Sequence, residues 1–426
     1  MPPTTRPLSR DRAAPSAGPG LAERFRAVRA RTAALAAPLS PEDMVVQSMP
    51  DASPAKWHLA HTTWFFEAFL LAPREPGFAP FHPRYTFLFN SYYEAVGPRH
   101  PRPRRGLLTR PSAAEVMAYR AAVEERVLAL VARGLDRDAA AILELGLHHE
   151  QQHQELLLTD VKHLLFQNPL RPAYAPRLAA GSPSAPPLAW TEYPGGVQEI
   201  GHAGPGFAFD NEGPRHRVFV EPFAIASRAV TAGEWRAFVE DGGYRTPALW
   251  LSDGWAKVQA EGWEAPLYWE RDGGAWTLFT LHGVRPLEPA EPVAHVSLYE
   301  ADAYARWSGA RLPTEEEWEL AAGGAVEEGA LADGGRYHPA VAGRGRPAQL
   351  LGDVWEWTRS AYAPYPRFRA AEGALGEYNG KFMSGQVVLR GGSCATPAGH
   401  VRPTYRNFFP PEARWQFSGV RLAREA

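Results

Sequence analysis

Apolar positions recur at three- to four-residue spacing over 21–37 (LAERFRAVRARTAALAA), with arginines between them, and this pattern predicts a helix. Ser40-Pro41-Glu42-Asp43 reads as a helix start, with Ser40 as N-cap, Pro41 in the first turn and two acids behind it. Ser53-Pro54 opens another helix that runs through Trp57 to about Leu71. A long amphipathic stretch follows over 112–134, where Ser112 and Glu115 have capping-box spacing. The last long helix is predicted from Asp138 to about Phe166, ended by Asn168-Pro169. Four long helices in the first part of the chain predict an up-down bundle.

The texture changes after that. Residues 171–190 (RPAYAPRLAAGSPSAPPLAW) are rich in Pro, Ala and Ser without periodicity and read as a linker. Beyond it, short apolar strands such as Arg217–Val220 and Val387–Leu389 alternate with Gly-rich turns. Short helices are predicted at 231–241, 298–308 and 314–322, the last capped by Thr314. Residues 1–20, rich in Arg, Pro and Ser, read as a disordered tail.

Composition narrows the function. Hydrophobic residues make up 45% and charged residues 22%, enough for a buried core. The net charge of −2 gives no electrostatic case for nucleic acid or an anionic membrane as a partner. No stretch approaches the ~18–20 apolar residues of a membrane span, and the N-terminal segment lacks the apolar run of a secretory signal, so a cytoplasmic protein is expected. The single cysteine, Cys394, excludes an internal disulfide and any mechanism that needs a Cys pair in one chain.

The chemistry concentrates in His148-His149-Glu150-Gln151-Gln152-His153-Gln154-Glu155. His149 and His153 are i,i+4, so on a helix they share a face and can bind one metal ion. Glu155 lies roughly 200° around the helix from His153, off that face, and reads as a supporting carboxylate rather than a ligand. Gln152 is i+3 from His149 and does share the face. Two histidines need a third ligand, and the helix containing Trp57-His58-Leu59-Ala60-His61 offers His58 or His61; spacing does not choose between them. Tyr92 and Tyr93, within FLFNSYYEAVGP, read either as packing residues or as proton or electron donors beside a metal. Arg99, Arg102, Arg104 and Arg105 follow, either as a solvated basic loop or as guanidinium groups for a substrate carboxylate.

These residues resemble the sulfoxide synthases of ergothioneine biosynthesis, the EgtB family, over nearly the whole chain from about residue 21. The likeness rests on the LAH ending at His61, the HEQQHQE starting at His149, Pro194-Gly195-Gly196, the DNEGPRH of 210–216, the RLPTEEEWELAA of 311–322, the GDVWEW of 352–357, the RGGSCAT of 390–396 and the FSGVRLA of 417–423. It implies an α+β chain: a DinB-like four-helix bundle over 21–170, then a formylglycine-generating-enzyme-like, C-type-lectin-like domain with little regular structure over 191–426. It also implies Fe(II) held by His61, His149 and His153. By the same resemblance Gln152 and Asn407 contact the histidine-derived substrate, and Tyr93, or its neighbour Tyr92, supplies a proton. Arg102 and Arg105 are the candidates for the donor carboxylate.

The chain departs from part of that family. Where members that use γ-glutamylcysteine carry Asn-Trp-Asp, this sequence reads Asn407-Phe408-Phe409 after Arg406, so the glutamyl-binding Asp is absent. The resemblance therefore points to the cysteine-using branch. The implied reaction joins cysteine to C2 of the imidazole of hercynine (N-α-trimethylhistidine) as a sulfoxide, with dioxygen and Fe(II). The alternatives are a selenoneine synthase with a selenosugar donor, or a zinc-dependent DinB-type thiol transferase. The copper chemistry of formylglycine-generating enzymes needs a Cys pair, so it is not expected here, and Cys394 reads as a core residue.

Overall fold

The computed structural model describes residues 20–178, 184–325, 329–343, 347–370, 372 and 374–426. Apart from Gly20, the expected tail lies outside the described residues, as do residues 179–183 of the expected linker.

Helix α1 (Leu21–Ala36) packs on α5 (Arg137–Gln167), and α2 (Ala55–Phe65) packs on both α4 (Ala113–Ala132) and α5. A five-residue helix, α3 (Tyr85–Phe89), sits in the long connection between α2 and α4. All eleven residues of α2 are buried, polar ones included, and its sequence shows little amphipathic contrast. Its last turn widens into a π-helical segment, Phe66–Leu71, at the far end of the predicted helix. Gly146 of α5 lets this segment approach closely, since a Cβ there would lie 2.3 Å from the Phe66 ring. Ser112 and Glu115 form the expected capping box on α4, and α5 is capped two residues before its expected start, by Asp136. The helix expected from Ser40 does not form. Ser40 and Asp43 make the reciprocal hydrogen bonds of a cap, but the chain only turns over 41–45 before extending toward Ser53. A cap satisfies orphan donors; without an apolar face behind it, no helix propagates.

The second part of the chain is built from short strands. Strands β1 (Trp190–Tyr193), β4 (Phe223–Ala226) and β12 (Ala423–Glu425) form one antiparallel sheet, with β4 central. Strands β8 (Trp355–Ala361), β9 (Val387–Arg390), β10 (Asn407–Phe409) and β11 (Ser418–Gly419) form another in the order β10-β9-β8-β11, in which only β8 and β11 run parallel. A ribbon of β2 (Gly196–Ile200) and β3 (His216–Val220) and a meander of β5 (Trp269–Asp272), β6 (Ala275–Thr280) and β7 (Gly283–Pro286) complete the strands. The three expected short helices form as α6 (Ala232–Glu240), α8 (Leu298–Trp307) and α9 (Glu315–Ala321). The polar α7 (Ser252–Glu261) and the β5–β7 meander have no counterpart among the sequence expectations.

Several of the motifs quoted above from this part of the chain bind one another. Glu356 of the GDVWEW stretch takes a bidentate contact from Arg421 of FSGVRLA and the Trp318 indole N–H. Glu315 of α9 is held by Arg390 and Arg406 at 2.8–2.9 Å, all fully or nearly fully buried. These networks fix β10 and so place Asn407, the next residue along, at the junction with the helices.

Candidate metal centre and cavity

Helices α2 and α5 bring three histidines together in the bundle core. His61, His149 and His153 each present a ring nitrogen, and these atoms all lie within 4.8 Å of one another. Nε2 of His61 is 3.2 Å from Nε2 of His149. Metal–nitrogen bonds of about 2.1 Å put adjacent ligand nitrogens about 3 Å apart, so the His61–His149 pair is spaced to share one ion, with His153 close beside it. The His61 Nδ1–H donates to the Phe89 carbonyl at 2.6 Å, which leaves its Nε2 lone pair free. Burial holds all three imidazoles below their ordinary pKa, His149 to about 3, and neighbouring histidines push His61 and His153 further down. Neutral imidazoles are the ligating form. Among the described residues, Nδ1 of His149 is buried without a hydrogen-bond partner. Trp57 stacks on His61 at 4.5 Å on one side and carries the Arg105 guanidinium at 3.4 Å.

The other candidate for third histidine, His58, lies beside the cluster. Its Nδ1 is 2.9 Å from Nδ1 of His153, and its Nε2 is 3.0 Å from the Asp160 carboxylate. Asp160 was not singled out by sequence. Its signal was available, for it lies seven residues past His153 and shares its helix face. Glu155 points away from the histidines, as its position on the helix predicts. Its buried carboxylate accepts the Trp355 indole N–H at 2.7 Å and the hydroxyls of Ser393 and Thr396 at 2.5 and 2.7 Å. Glu150 bridges Arg29 and Arg120; burial alone would raise its carboxyl, but the two guanidinium groups hold it down at about 2.

A cavity of about 420 Å³ opens against His153 and is lined from both parts of the chain. The bundle side contributes His58, Tyr92, Arg102, Arg105, Gln152 and Asp160. The strand side contributes Trp355, Tyr378, Tyr405, Asn407, Phe408 and Trp415. Gln152 is fixed across the junction: its amide N–H donates to the Tyr405 hydroxyl at 2.6 Å, and its carbonyl accepts from Tyr378. The aromatic wall has no helical or alternating signature, and Tyr378 and Tyr405 carry no motif that sequence reading could have used. Asn407 faces the cavity, its side-chain oxygen accepting the Phe408 N–H at 2.9 Å. Arg105 is 3% exposed, held by Ser53 and Ser91 hydroxyls, and forms no ion pair among the described residues. Arg102 lies nearer the surface and donates to the Asp51 carbonyl. Tyr92 lines the cavity, whereas Tyr93 is packed behind it against Trp64 and Phe69 and is fully buried. Burial raises both phenols above their ordinary value. Cys394 is fully buried, and burial drives its thiol well up, which keeps it from thiolate chemistry.

Two family models match the chain. The DinB superfamily covers residues 24–157, and the sulfatase-modifying factor enzyme 1-like domain covers 187–345 and 347–426. The helical part is thus a DinB-like bundle and the strand-rich part a domain of the formylglycine-generating type. The hercynine oxygenase of Mycolicibacterium thermoresistibile is 36% identical over 413 residues, spanning 88% of each chain. That of Mycolicibacterium smegmatis is 34% identical over 88% of this chain and 92% of its own. That of Mycobacterium tuberculosis is 35% identical over 89% of this chain and 93% of its own.

Proposed function

The chain belongs to the hercynine oxygenase family, and on that premise we propose that it joins cysteine to C2 of the hercynine imidazole as a sulfoxide, using dioxygen and one Fe(II). The observation that carries this reading is the buried three-histidine cluster at the wall of a cavity shared by both domains. His61, His149 and His153 would hold the iron, whose one-electron chemistry lets dioxygen react with a thiolate. The remaining work falls to the chain. Gln152, locked between Tyr378 and Tyr405, has no freedom to turn its amide and so orients the imidazole. Asn407 and the aromatic wall border the trimethylammonium and carboxylate end of hercynine. Among the described residues Arg105 is a buried cation without a carboxylate ion pair; the carboxylate of cysteine supplies one, with Arg102 beside it. Tyr92 and Tyr93 keep their protons because burial raises their pKa, and one of them donates a proton during turnover. Holding hercynine and cysteine against one centre removes much of the entropic barrier to their coupling.

Phe409 stands where members that use γ-glutamylcysteine carry the glutamyl-binding Asp, so the cavity wall lacks that acid beside Asn407. The test is a donor panel. Anaerobically purified protein loaded with Fe(II) is given hercynine, oxygen and either cysteine, γ-glutamylcysteine or a selenosugar, and products are read by mass spectrometry. The cysteine-derived sulfoxide should dominate. A product formed only from one of the other two donors overturns the choice of cysteine, and turnover that needs zinc instead of iron overturns the oxygenase reading.

A further inference from the structure

His153 can offer a metal only the ring nitrogen that its other contact leaves free. Its Nδ1 faces Nδ1 of His58 at 2.9 Å, and Nε2 of His58 faces Oδ2 of Asp160 at 3.0 Å. The same Oδ2 accepts the Ser53 backbone N–H at 2.8 Å. Ser53, His58, His153 and Asp160 are all buried, with exposures of 6, 2, 8 and 6%. An ionised carboxylate only accepts. The proton between His58 and Asp160 therefore sits on His58 Nε2, and in the neutral imidazole this leaves a lone pair on His58 Nδ1. That lone pair accepts the Nδ1–H of His153. His153 then carries its lone pair on Nε2. If His58 instead carried a proton on Nδ1, the His153 lone pair would be drawn to Nδ1 and its Nε2 would be an N–H, unable to ligate.

We propose that Asp160 and His58 are positioning residues that fix His153 as its Nδ1–H tautomer, with Nε2 presented for a metal ion. This rests on the reading of His61, His149 and His153 as the metal site. The three histidines are not treated alike. His61 has its tautomer set by the Phe89 carbonyl and His153 by the Asp160–His58 pair, whereas Nδ1 of His149 has no partner among the described residues. The relay also reaches the other side of the cavity. Ser53 gives its N–H to Asp160 and receives Arg105 NH1 on its hydroxyl at 2.9 Å. The residue that orients the donor-side guanidinium thus also anchors the carboxylate that orients a metal ligand. Outer partners of this kind typically change metal affinity by ~10–100-fold when removed.

The experiment is an anaerobic Co(II) titration of the full-length protein, read by visible absorption. The parent should bind one equivalent. His58→Phe and Asp160→Leu should each weaken binding by about 10–100-fold, and the double variant should lose little more than either single change, because both break one relay. Asp160→Asn keeps an oxygen acceptor at the Oδ2 position and should stay close to the parent. Parent-like affinity in both His58→Phe and Asp160→Leu overturns the inference, as does a loss in Asp160→Asn equal to that in Asp160→Leu. Failure of the parent to bind one equivalent overturns the metal-site reading instead. An independent measurement needs no variant: histidine nitrogen–proton NMR correlations of the Zn(II)-loaded parent should give His58 as Nε2–H and His153 as Nδ1–H. The opposite tautomer at either ring refutes the proposal.

Discussion

Tyr92 and Tyr93 are neighbours in sequence, with ring centroids 4.8 Å apart, yet they stand in different surroundings. Tyr92 borders the cavity, and Tyr93 reaches the histidines through Trp64, which stacks on His61 at 5.6 Å. Phe in place of the donating tyrosine preserves packing and removes the proton. Tyr93→Phe should cut sulfoxide formation by ~10²–10⁴-fold while one equivalent of iron remains bound, with cysteine sulfinate or disulfide rising in the mass spectrum at the expense of the coupled product. If Tyr92→Phe gives that loss instead, the cavity-facing phenol is the donor; parent rates in both singles and in the double variant assign the pair to packing. His153→Ala should abolish stoichiometric iron by metal analysis, and full retention would remove it from the ligand set. The histidine pair was legible because i,i+4 geometry is fixed by the helix alone. The choice between His58 and His61 was not, since both are buried on one helix and only the partner helix distinguishes them. Tyr378 and Tyr405 were illegible for a further reason: they come from irregular segments without local periodicity, and Tyr405 is placed by the buried Arg390 and Arg406 contacts to Glu315.

Among the elements, α5 does the most varied work. Successive positions send His149 and His153 toward α2, Glu150 between α1 and α4, and Glu155 into the second domain. Glu155→Gln should therefore leave iron stoichiometry unchanged. Its effect belongs to stability. Burial raises the Glu155 carboxyl, against the opposing hydrogen bonds of Ser393, Thr396 and Trp355. A raised carboxyl contributes stability that is present below its unfolded pKa and lost as pH rises through the folded value. Gln does not titrate, so the stability of Glu155→Gln relative to the parent should increase from pH 4 to pH 7 in urea unfolding; curves that stay parallel would show that Glu155 is not perturbed. Iron loss without unfolding would refute its place off the histidine face. The long helices were readable because caps and apolar spacing agreed in α4 and α5. At Ser40 the cap was present and the apolar face was not, and no helix formed. Helix α7 failed in reverse: SDGWAKVQAE has neither a side-chain cap bond nor a broad apolar face, and tertiary packing of Gly254 on Tyr299 holds it.

At the scale of the whole molecule, the two domains are joined by buried polar groups as well as by apolar packing, and Lys162 is the most exacting of them. It leaves α5 three turns beyond the histidine cluster and ends among residues of the second domain, with Nζ 2.7 Å from Nε2 of His295 and about 5 Å from the rings of Tyr268 and Phe417. His295 keeps its Nδ1–H for the Trp415 carbonyl, so its Nε2 is an acceptor and Lys162 is the donor. Burial lowers the amine from its ordinary 10.5 to about 7. A base with a depressed folded pKa contributes stability that is fully present above its unfolded value and is lost as pH falls through the folded one. Between pH 7 and 10.5 the unfolded chain holds a proton on Lys162 that the folded chain does not. Stability should therefore rise with pH across that window, by on the order of 1 kcal/mol per unit from this group. Lys162→Met keeps the length of the side chain and removes the titration. It also leaves His295 Nε2 without its donor, a loss that does not vary with pH in this range because burial keeps His295 neutral. The stability of the variant relative to the parent, from urea unfolding at pH 7.5, 8.5 and 9.5, should then fall steadily as pH rises. A difference that does not change with pH would mean that Lys162 is charged in the folded protein and that the domain junction admits more water than its burial indicates.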